Sequence, residues 1–485
     1  MDMRVNPVPD LSSAETYRDP KRHAWLFYPL WLLMPAISIA LGLQTGHTAW
    51  FWLVPAFLFI GMPILDLVIG TSTRNAPEPA VPRLESDPYY RYLTYFCVVF
   101  HYLALIVGAW AVATQPLDVL GYIGVTLSCG LISAYGIVTA HELGHKKGSL
   151  ERWLSKFALA TGVYGQYMTD HNRGHHRDVA TPEDSGSARF GENFYAFMLM
   201  RQLPHSTFSR PWQLEKDRLS RKGKSVWSLG NEFIQPTLIS LVTYGILTAI
   251  FGLAVVPYLA AVAFTSYFFL AIIDYIEHYG LLRKKLPDGR YERVRPEHSW
   301  NTDHVATNIM YMHAQRHSDH HAYPTRRYQV LRSYPNLPTL PNGYPGMFWL
   351  AMFPPLWRAV MHPRILQMYD FDLNRINLDP GKRDALFKKY SRVPDASKAL
   401  PAAAPAQAAS SPTASVSVTA NAAPKSYKCP GCGYTYREAN GDASQGFAAG
   451  TRWAQIPFTW SCPDCAVRDK VDFVEVHPAR ANVHA

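Results

Sequence analysis

The chain has 485 residues, which is enough for two or more domains. Its 47 Lys and Arg residues outnumber its 37 Asp and Glu residues, giving a net charge of +10 at pH 7. The basic residues flank long apolar runs, so the positive charge favours anionic lipid headgroups as partners, and we expect no nucleic-acid binding. Of the six cysteines, four form two CxxC pairs, a pattern that excludes a secreted disulfide framework.

Long apolar runs predict six membrane-spanning helices, since about 20 residues suffice to cross a bilayer. Residues 233–273 contain no Lys, Arg, Asp or Glu and are long enough for two spans that turn near residues 252–257. A further stretch, residues 344–361, is apolar but is interrupted by two prolines, so we expect it to pack as a cap rather than to span. The other four predicted spans are residues 25–43, 49–70, 92–114 and 119–140.

The distribution of basic residues predicts the orientation of these helices. The short connections 44–48, 115–118 and 252–257 carry no Lys or Arg. The opposite side of the predicted membrane domain is basic, so by the positive-inside rule both termini are predicted to be cytoplasmic. The basic residues on that side include Arg18, Lys21, Arg22, Arg74, Arg83 and Arg91.

Histidines are concentrated in three clusters on the predicted cytoplasmic side, and one more follows the sixth span. Histidines four residues apart lie on one face of a helix and can bind one metal ion. We expect this of His141 with His145, of His171 with His175 and of His317 with His321. The neighbouring histidines can reach a second ion. Imidazole suits iron, copper, nickel and zinc alike, so the residues alone do not name the metal. The nine candidate ligands are His141, His145, His171, His175, His176, His278, His317, His320 and His321.

Residues 141–145 also match the HExxH pattern of zinc hydrolases, in which the glutamate is a general base. A membrane-embedded zinc protease is therefore one alternative, although it would use one further ligand and not two further histidine clusters. Outside such an enzyme, we expect Glu142 to orient a ligand imidazole. A metal transporter is another alternative, but only His101 lies within a predicted span.

Four cysteines near the C-terminus, Cys429, Cys432, Cys462 and Cys465, can build a tetrahedral sulfur site for zinc or a single iron. The segment before them is mostly Ala, Pro, Ser and Thr, the composition of a flexible linker. The predicted organisation is a cytoplasmic segment, a membrane domain, a linker, a small domain and a tail, with bounds 1–22, 23–392, 393–424, 425–477 and 478–485.

The small domain resembles a rubredoxin over residues 427–475. The resemblance is carried by Tyr427-Lys-Cys429-Pro-Gly-Cys432-Gly-Tyr434, by Gly450-Thr-Arg-Trp453, and by Trp460 with Cys462-Pro-Asp-Cys465. It implies a small β-rich domain that holds one iron on four cysteines and carries single electrons. Rubredoxins are usually strongly acidic, whereas residues 425–477 hold as many basic as acidic residues, so we expect tethering to substitute for docking by charge alone.

Over roughly residues 15–390 the chain resembles the membrane alkane 1-monooxygenases. The resemblance implies an all-α integral membrane domain with six transmembrane helices and a cytoplasmic, histidine-rich di-iron cap, within the fatty-acid desaturase and hydroxylase superfamily. The segments that carry it are His141-Glu-Leu-Gly-His145-Lys-Lys, His171-Asn-Arg-Gly-His175-His176, Tyr275-Ile-Glu-His278-Tyr-Gly and Gln315-Arg-His317-Ser-Asp-His320-His321.

The same resemblance implies terminal hydroxylation of n-alkanes to primary alcohols by O2. The nine histidines would hold two irons, and the appended carrier would deliver electrons obtained from an NAD(P)H-dependent rubredoxin reductase. The implied location is a bacterial cytoplasmic (inner) membrane. The nearest alternative is a membrane fatty-acid desaturase or hydroxylase, which has the same ligands but recognises an acyl thioester.

Overall fold

The computed structural model describes residues 17–287, 289–391, 424–430, 433–457, 460, 462–463, 468 and 470–476. In this part of the chain the larger domain is helical, and five of its helices are long and apolar enough to cross a membrane. Two further helices are together long and apolar enough to cross a membrane, but they are bent by 54° at the break between them. If this pair forms one span, the domain has six spans. In chain order the segments are the pair Ala24–Leu32 and Met34–Thr45, then Thr48–Ile69, Pro88–Thr114, Val119–Gly144, Ile234–Phe251 and Leu253–Glu277.

The breaks between apolar helices fall where the sequence indicates. Helix Ile234–Phe251 ends at Gly252, whose φ of +79° favours glycine because it has no Cβ. The apolar stretch near residue 350 is split at Phe353 into Tyr344–Met352 and Pro354–Met368. These two helices bury part of their apolar side chains in the core of the domain, as expected for a packed cap.

The outer faces of the membrane-length helices are strongly apolar. A water-soluble protein rarely exposes so many contiguous large apolar side chains, whereas lipid accommodates them. Their exposure therefore supports an integral membrane domain. Examples on four helices are Leu67 at 72%, Phe96 at 60%, Val99 at 61%, Leu241 at 63% and Leu253 at 81%.

Helix Val119–Gly144 is the most enclosed of the membrane-length helices, with 89% of its most apolar window buried. It packs closely on helix Leu253–Glu277, where a Cβ at Gly130 would lie 2.7 Å from the Cβ of Thr265. Both helices end at the same face of the domain, because His141 lies near the end of the first and His278 directly follows the second. Two predicted ligands are thereby placed side by side.

Asp66 is the one charged residue within the second predicted span, and it is fully buried. Its carboxylate accepts hydrogen bonds from the Thr307 backbone N–H at 3.0 Å and from the Thr307 hydroxyl at 2.8 Å. A buried carboxylate without such donors would be costly. Asp66 therefore links an apolar helix to the short helix Val305–Met310, which precedes the last histidine cluster in the chain.

The remaining helices of the larger domain are shorter and lie mainly between the fourth and fifth membrane-length helices or after the sixth. The α- and π-helices are Val81–Ser86, Ser149–Ala160, Tyr167–Asp170, His171–His175, His176–Asp178, Phe194–Ala196, Phe197–Ser209, Arg210–Arg221, Val305–Met310, His317–Ala322 and Arg383–Tyr390. The 3₁₀ turns outside the membrane-length segments are Glu78–Ala80, Pro296–His298, Tyr328–Val330, Leu373–Arg375, Pro380–Lys382, Trp453–Gln455 and Lys470–Asp472.

The small domain contains a three-stranded antiparallel sheet in its described residues. Strand Ser426–Lys428 is central and pairs with Thr435–Arg437 on one side and Val474–Val476 on the other. Its core is aromatic, and Tyr427 stacks on Trp453 with ring centroids 4.3 Å apart. This matches the expected small β-rich domain. The linker 393–423 and the tail 478–485 lie outside the described residues, so the predicted domain bounds stay a prediction.

Candidate metal centre

All nine predicted histidines converge at one face of the helical domain, and they form two adjacent groups. Within each group the potential ligand atoms all lie within 4.8 Å of one another. Eight of the nine side chains are buried and the His141 side chain is half-buried. The first group is His141, His145, His171, His176 and His320, and the second is His175, His278, His317 and His321.

Ring nitrogens point at one another inside both groups. In the first, the Nε2 atom of His171 lies 3.1 Å from that of His145 and 3.0 Å from that of His176. In the second, the Nε2 atom of His317 lies 3.0 Å from that of His278 and 2.9 Å from that of His321. Two ligands that bind one ion at about 2.1 Å lie about 3.0 Å apart at a 90° angle and about 3.4 Å apart at a tetrahedral angle. The observed separations are close to these values, so the two donor sets fit two metal ions.

The pairing of His171 with His175 differs from the expectation. The i, i+4 rule holds for His141 with His145 and for His317 with His321, each of which falls in one group. Residues His171–His175, however, form a π-helical turn. In such a turn residues five apart stack along the axis, so His171 pairs with His176 and His175 turns to the second group.

Outer hydrogen bonds fix the orientation of several rings. The Nδ1 atom of His175 lies 2.9 Å from the Asp184 carboxylate, and the Nδ1 atom of His278 lies 3.0 Å from the His298 carbonyl oxygen. A proton on Nδ1 leaves Nε2 free as a metal ligand, and such partners hold the ring in place. Asp184 is itself held by the Ser187 hydroxyl at 2.6 Å.

The protonation of the rings also suits metal binding, which requires neutral imidazole. Burial, followed by repulsion from neighbouring histidines, holds the pKa of His171, His320 and His321 well below its ordinary value. Burial also opposes charge on His175, but the Asp184 carboxylate outweighs it and raises the pKa of His175 to about 9. Most of the site is therefore unprotonated at neutral pH.

Glu142 does not have the surroundings of a hydrolytic base. Its carboxylate oxygen lies 3.0 Å from the Lys146 ammonium and 3.9 Å from the Arg327 guanidinium. Its expected hydrogen bond to a ligand imidazole is not among the contacts of the described residues. A carboxylate engaged by two cations, beside a group of five histidines, does not fit the HExxH protease pattern, which needs a free base and three protein ligands.

Two carboxylates that contact the clustered histidines, Asp184 and Glu277, are not among the site residues predicted from the sequence. Glu277 precedes His278, is 5% exposed, and places Oε2 3.2 Å from the Nε2 atom of His317. The available signal was its position at the end of an apolar helix, where a buried charge needs a partner. By contrast, His101 belongs to neither group and contacts the Ile132 carbonyl and the Thr139 hydroxyl.

The cysteine site lies only partly within the described residues. Cys429 and Cys462 are described and are 0% and 1% exposed, whereas Cys432 and Cys465 lie outside the described residues. The two described cysteines belong to one buried apolar cluster with Tyr436 and other aromatic residues of the small domain. A buried sulfur pair within an aromatic shell is consistent with the predicted carrier.

The cysteine-bearing domain contacts the histidine-bearing domain. Val179 and Val294 of the larger domain belong to the same buried cluster as Cys429 and Cys462, and Arg293 forms an ion pair with Asp472. The backbone N–H of Val179 donates a 2.7 Å hydrogen bond to the carbonyl oxygen of His175. Val179 thus connects the buried cluster that contains Cys429 and Cys462 to the backbone of His175, one of the clustered histidines.

A small apolar cavity of about 10 Å³ lies among the helices that lead to the histidine face. Its wall includes Ile137, which is one helical turn before His141 on the same helix. That volume is about the size of one water molecule, so an apolar ligand would fit only if the lining side chains moved apart. Its lining residues are Leu58, Leu131, Ala134, Tyr135, Ile137, Val138, Phe269, Ile273, Tyr311 and Phe348.

Comparison with known families divides the chain in the same way as its geometry. Residues 117–351 match the family Fatty acid desaturase, and residues 426–473 match the family Rubredoxin. The first match contains all nine clustered histidines and the second contains all four cysteines. The histidine groups and the cysteine site thus lie in two regions of the chain that match two different families.

Proteins named alkane 1-monooxygenase are similar over most of their length. The chain is 47% identical to alkane 1-monooxygenase 1 of Alcanivorax borkumensis, over 78% of this chain and 93% of that protein. It is 46% identical to alkane 1-monooxygenase of Ectopseudomonas oleovorans, over 78% and 94%, and 45% identical to that of Pseudomonas putida, over 79% and 94%. With this identity over nearly the whole length of those proteins, the chain belongs to the alkane 1-monooxygenase family, with a rubredoxin domain appended at its C-terminal end.

Proposed function

We propose that this chain hydroxylates the terminal carbon of n-alkanes to give primary alcohols, using O2 and electrons delivered by its own rubredoxin domain. The observation that carries the proposal is the convergence of nine histidines in two adjacent groups at the end of membrane-length helices. Overall, one oxygen atom enters the alcohol and the other leaves as water, which consumes two electrons and two protons.

The proposed ligands are the nine clustered histidines for two irons and Cys429, Cys432, Cys462 and Cys465 for a third. The donor types fit, because imidazole suits iron and four thiolates suit a single iron. When bound, the paired irons supply the O2 chemistry that attacks the C–H bond. The protein positions the chain end and excludes water, and the imidazoles are held by residues such as Asp184.

An alkane has no polar group, so its binding free energy comes from the burial of apolar surface, at about 25 cal/mol per Å². The cavity beside Ile137 is lined by apolar and aromatic side chains and meets the helix that carries His141. The cavity has a volume of about 10 Å³, so we infer that its lining side chains move apart to admit the alkane, whose terminal methyl group would then face the histidines. The exposed apolar faces of the surrounding helices would let the substrate enter from the bilayer.

The contact between the two domains supports intramolecular electron delivery. Val179 lies in the apolar cluster with Cys429 and Cys462, and its backbone N–H donates to the carbonyl oxygen of His175. We infer that electrons leave the sulfur site at this contact and reach the second histidine group through His175. An NAD(P)H-dependent rubredoxin reductase is the proposed source of those electrons.

We further propose that the enzyme spans a bacterial inner membrane six times with both termini in the cytoplasm. The proposal treats the bent pair Ala24–Leu32 and Met34–Thr45 as one span. It is supported by the basic residues on the histidine side and by connections without Lys or Arg on the other. The cytoplasmic reductase could then reach the carrier domain.

The test is product analysis with the purified chain in lipid, NADH, a rubredoxin reductase and either an n-alkane or a fatty acyl thioester. We expect the 1-alcohol from the alkane and no desaturated or hydroxylated acyl product. An acyl product without alkane oxidation would instead favour a fatty-acid desaturase or hydroxylase, the activity in the name of the family matched by residues 117–351.

A cavity variant locates the substrate. Phe348→Leu enlarges a buried wall of the cavity, whereas Phe96→Leu makes the same change on an outer face that is 60% exposed. In a mixture of alkanes, Phe348→Leu should raise the share of longer alkanes oxidised, and Phe96→Leu should leave the distribution unchanged. The same distribution in both variants would place the substrate elsewhere.

A further inference from the structure

A polar cavity of about 40 Å³ lies against the backbone of the first histidine group. Two of its lining residues are chain neighbours of that group, because Gly144 precedes His145 and Asn172 follows His171. Unlike the cavity beside Ile137, the polar cavity is surrounded mainly by polar and charged side chains. These include Ser155, Lys156, Thr169, Asn172, Arg173 and Glu232.

The inner end of the polar cavity contains a polar atom without a partner. The side-chain N–H of Asn172 donates a 3.2 Å hydrogen bond to the Gly144 carbonyl oxygen, which holds the amide in place. The Oδ1 atom of the same amide is enclosed and has no hydrogen-bond partner among the described residues. An enclosed amide oxygen without a donor is costly, and a water molecule can supply that donor.

The space at this end is kept open by a glycine. A Cβ at Gly144 would lie 2.4 Å from the Met168 Cε atom and 3.0 Å from the Ser155 Oγ atom. One water requires roughly 10–15 Å³ and two to four polar partners. The polar cavity, at about 40 Å³, therefore has room for roughly two or three waters. The cavity beside Ile137 is smaller and is lined by apolar and aromatic side chains, and apolar cavities stay dry.

The outer end of the polar cavity is charged and reaches solvent. Arg152 lines it and is exposed, and the Lys156 ammonium donates a 2.5 Å hydrogen bond to the Gln235 side-chain oxygen. Arg173 forms an ion pair with Glu232 at 2.5 Å. Because charged groups favour hydration, these side chains join the polar cavity to the water outside.

The proposed reaction needs such a connection. Eight of the nine clustered histidines are buried and His141 is half-buried, yet each turnover consumes two protons and releases one water. Protons move through proteins along titratable groups and water, and not through apolar packing. The polar cavity is the described cavity that combines polar lining with a position beside the first group.

We propose that the polar cavity binds water and is the route by which protons enter, and product water leaves, the first histidine group. Protons pass from solvent at Arg152 along the bound waters to the water held by Asn172 Oδ1, so only O–H bonds of water are made and broken on the way. Asn172 is a positioning residue, because it acts through that water. The proton role rests on the proposed function, whereas the binding of water does not.

Two substitutions test the bound water. Asn172→Leu keeps the branched shape of the side chain and removes the Oδ1 atom. Thr169→Val removes a hydroxyl from the lining; Thr169 is 4% exposed and its hydroxyl lies 3.5 Å from the Glu232 carbonyl oxygen. Thr126→Val is the matched control, because Thr126 is 7% exposed, bonds to the Tyr122 carbonyl oxygen and lines neither cavity.

The first measurement is hydroxyl-radical labelling of the iron-loaded full chain in lipid, with radicals made from water by an X-ray pulse. Met168 lines the polar cavity and reports water there, and Met200, which is 71% exposed, reports bulk water. We expect Asn172→Leu and Thr169→Val to slow oxidation of Met168 several-fold and to leave Met200 unchanged. Thr126→Val should match the unsubstituted chain. The same Met168 rate in every chain would overturn the bound water.

The second measurement is the rate of 1-alcohol formation in H2O and in D2O. If protons arrive along the bound waters, D2O should slow Asn172→Leu and Thr169→Val by a larger factor than the unsubstituted chain and Thr126→Val. A purely structural defect would lower the rate by the same factor in both solvents, and that result would overturn the proton route. If Asn172→Leu does not accumulate as folded protein, Thr169→Val decides both measurements.

Failure of this inference can be told from failure of the proposed function. An unsubstituted chain that makes no 1-alcohol would overturn the proposed function, and the labelling of Met168 would still decide whether the polar cavity holds water. A chain that makes 1-alcohol but shows neither the slower labelling nor the larger solvent effect in Asn172→Leu would overturn the inference alone.

Discussion

The histidine region and the cysteine region, the two proposed iron sites, are built in opposite ways. The histidine site is assembled from segments between residues 141 and 321, at the ends of two long helices and in three short ones. The cysteine site belongs to a small sheet domain between residues 424 and 476 that has its own aromatic core. We therefore expect the histidine site to depend on the whole membrane domain, and we expect a separately added carrier protein to be able to replace the cysteine domain.

The largest expected effect is a contrast between one ligand substitution in each region. His176→Ala removes a fully buried member of the five-histidine group and should abolish alkane hydroxylation, with or without added rubredoxin. The loss of activity in His176→Ala should exceed the roughly 10–100-fold loss caused by removing a residue that only hydrogen-bonds to a ligand. Cys429→Ser should also stop turnover, but excess separate rubredoxin should restore it. The measurement is 1-alcohol formed per minute.

The control for this contrast is a buried histidine outside the site. His362 is 2% exposed and contacts the Tyr279 and Tyr390 hydroxyls, so His362→Gln tests burial of a histidine without a ligand role. It should retain iron and activity. Recovery of His176→Ala by added rubredoxin would contradict the division of labour between the two regions.

The next largest effect is expected from Asp184, whose carboxylate orients the proposed ligand His175. Asp184→Asn keeps the shape of the side chain but removes the charge that holds the His175 ring. Because such partners orient ligands, activity and iron affinity should fall roughly 10–100-fold. Iron content after dialysis and the hydroxylation rate measure the two losses. Wild-type iron retention in Asp184→Asn would show that the ring is oriented by the metal alone.

A smaller effect is expected from the linker, which lies outside the described residues except at its last position. Residues 397–424 would span roughly 30 Å as a flexible chain. The tether then gives an effective carrier concentration on the order of millimolar. Proteolytic cutting in this segment should lower alkane oxidation sharply at equimolar carrier and leave it unchanged at high added carrier. Equal rates before and after cutting at equimolar carrier would refute a tethering advantage.

The smallest effect is expected at the charged edge of the domain contact. Arg293 is about half exposed and pairs with Asp472, and exposed ion pairs contribute about 0–1 kcal/mol. Arg293→Glu should slow electron transfer between the domains by a few-fold at most, and Asp472→Arg in the same chain should restore part of the rate. Stopped-flow reoxidation of the rubredoxin chromophore measures both. A larger loss that Asp472→Arg does not repair would mean that Arg293 acts elsewhere.

The membrane-length helices could be predicted from the sequence because uncharged runs report burial in lipid directly. Residues 92–114 and 119–140 fall within helices Pro88–Thr114 and Val119–Gly144, and the turn in 233–273 lies at Gly252. The set of clustered histidines was also predictable, because their density far exceeds what a surface requires. Both signals are local in sequence.

The division of the histidines between two groups could not be predicted, because it depends on tertiary placement. His320 joins the first group while its neighbour His321 joins the second. The π-helical turn at His171–His175 breaks the i, i+4 rule. Glu277 was missed because only the fold brings the end of its helix against His317.

The most direct test of the account is the metal content of the purified full chain, measured together with its Mössbauer spectrum. The account predicts three irons per chain, of which one has the signature of a four-sulfur site and two are bound by nitrogen-rich ligands. One iron per chain, with zinc or no metal at the histidines, would contradict it.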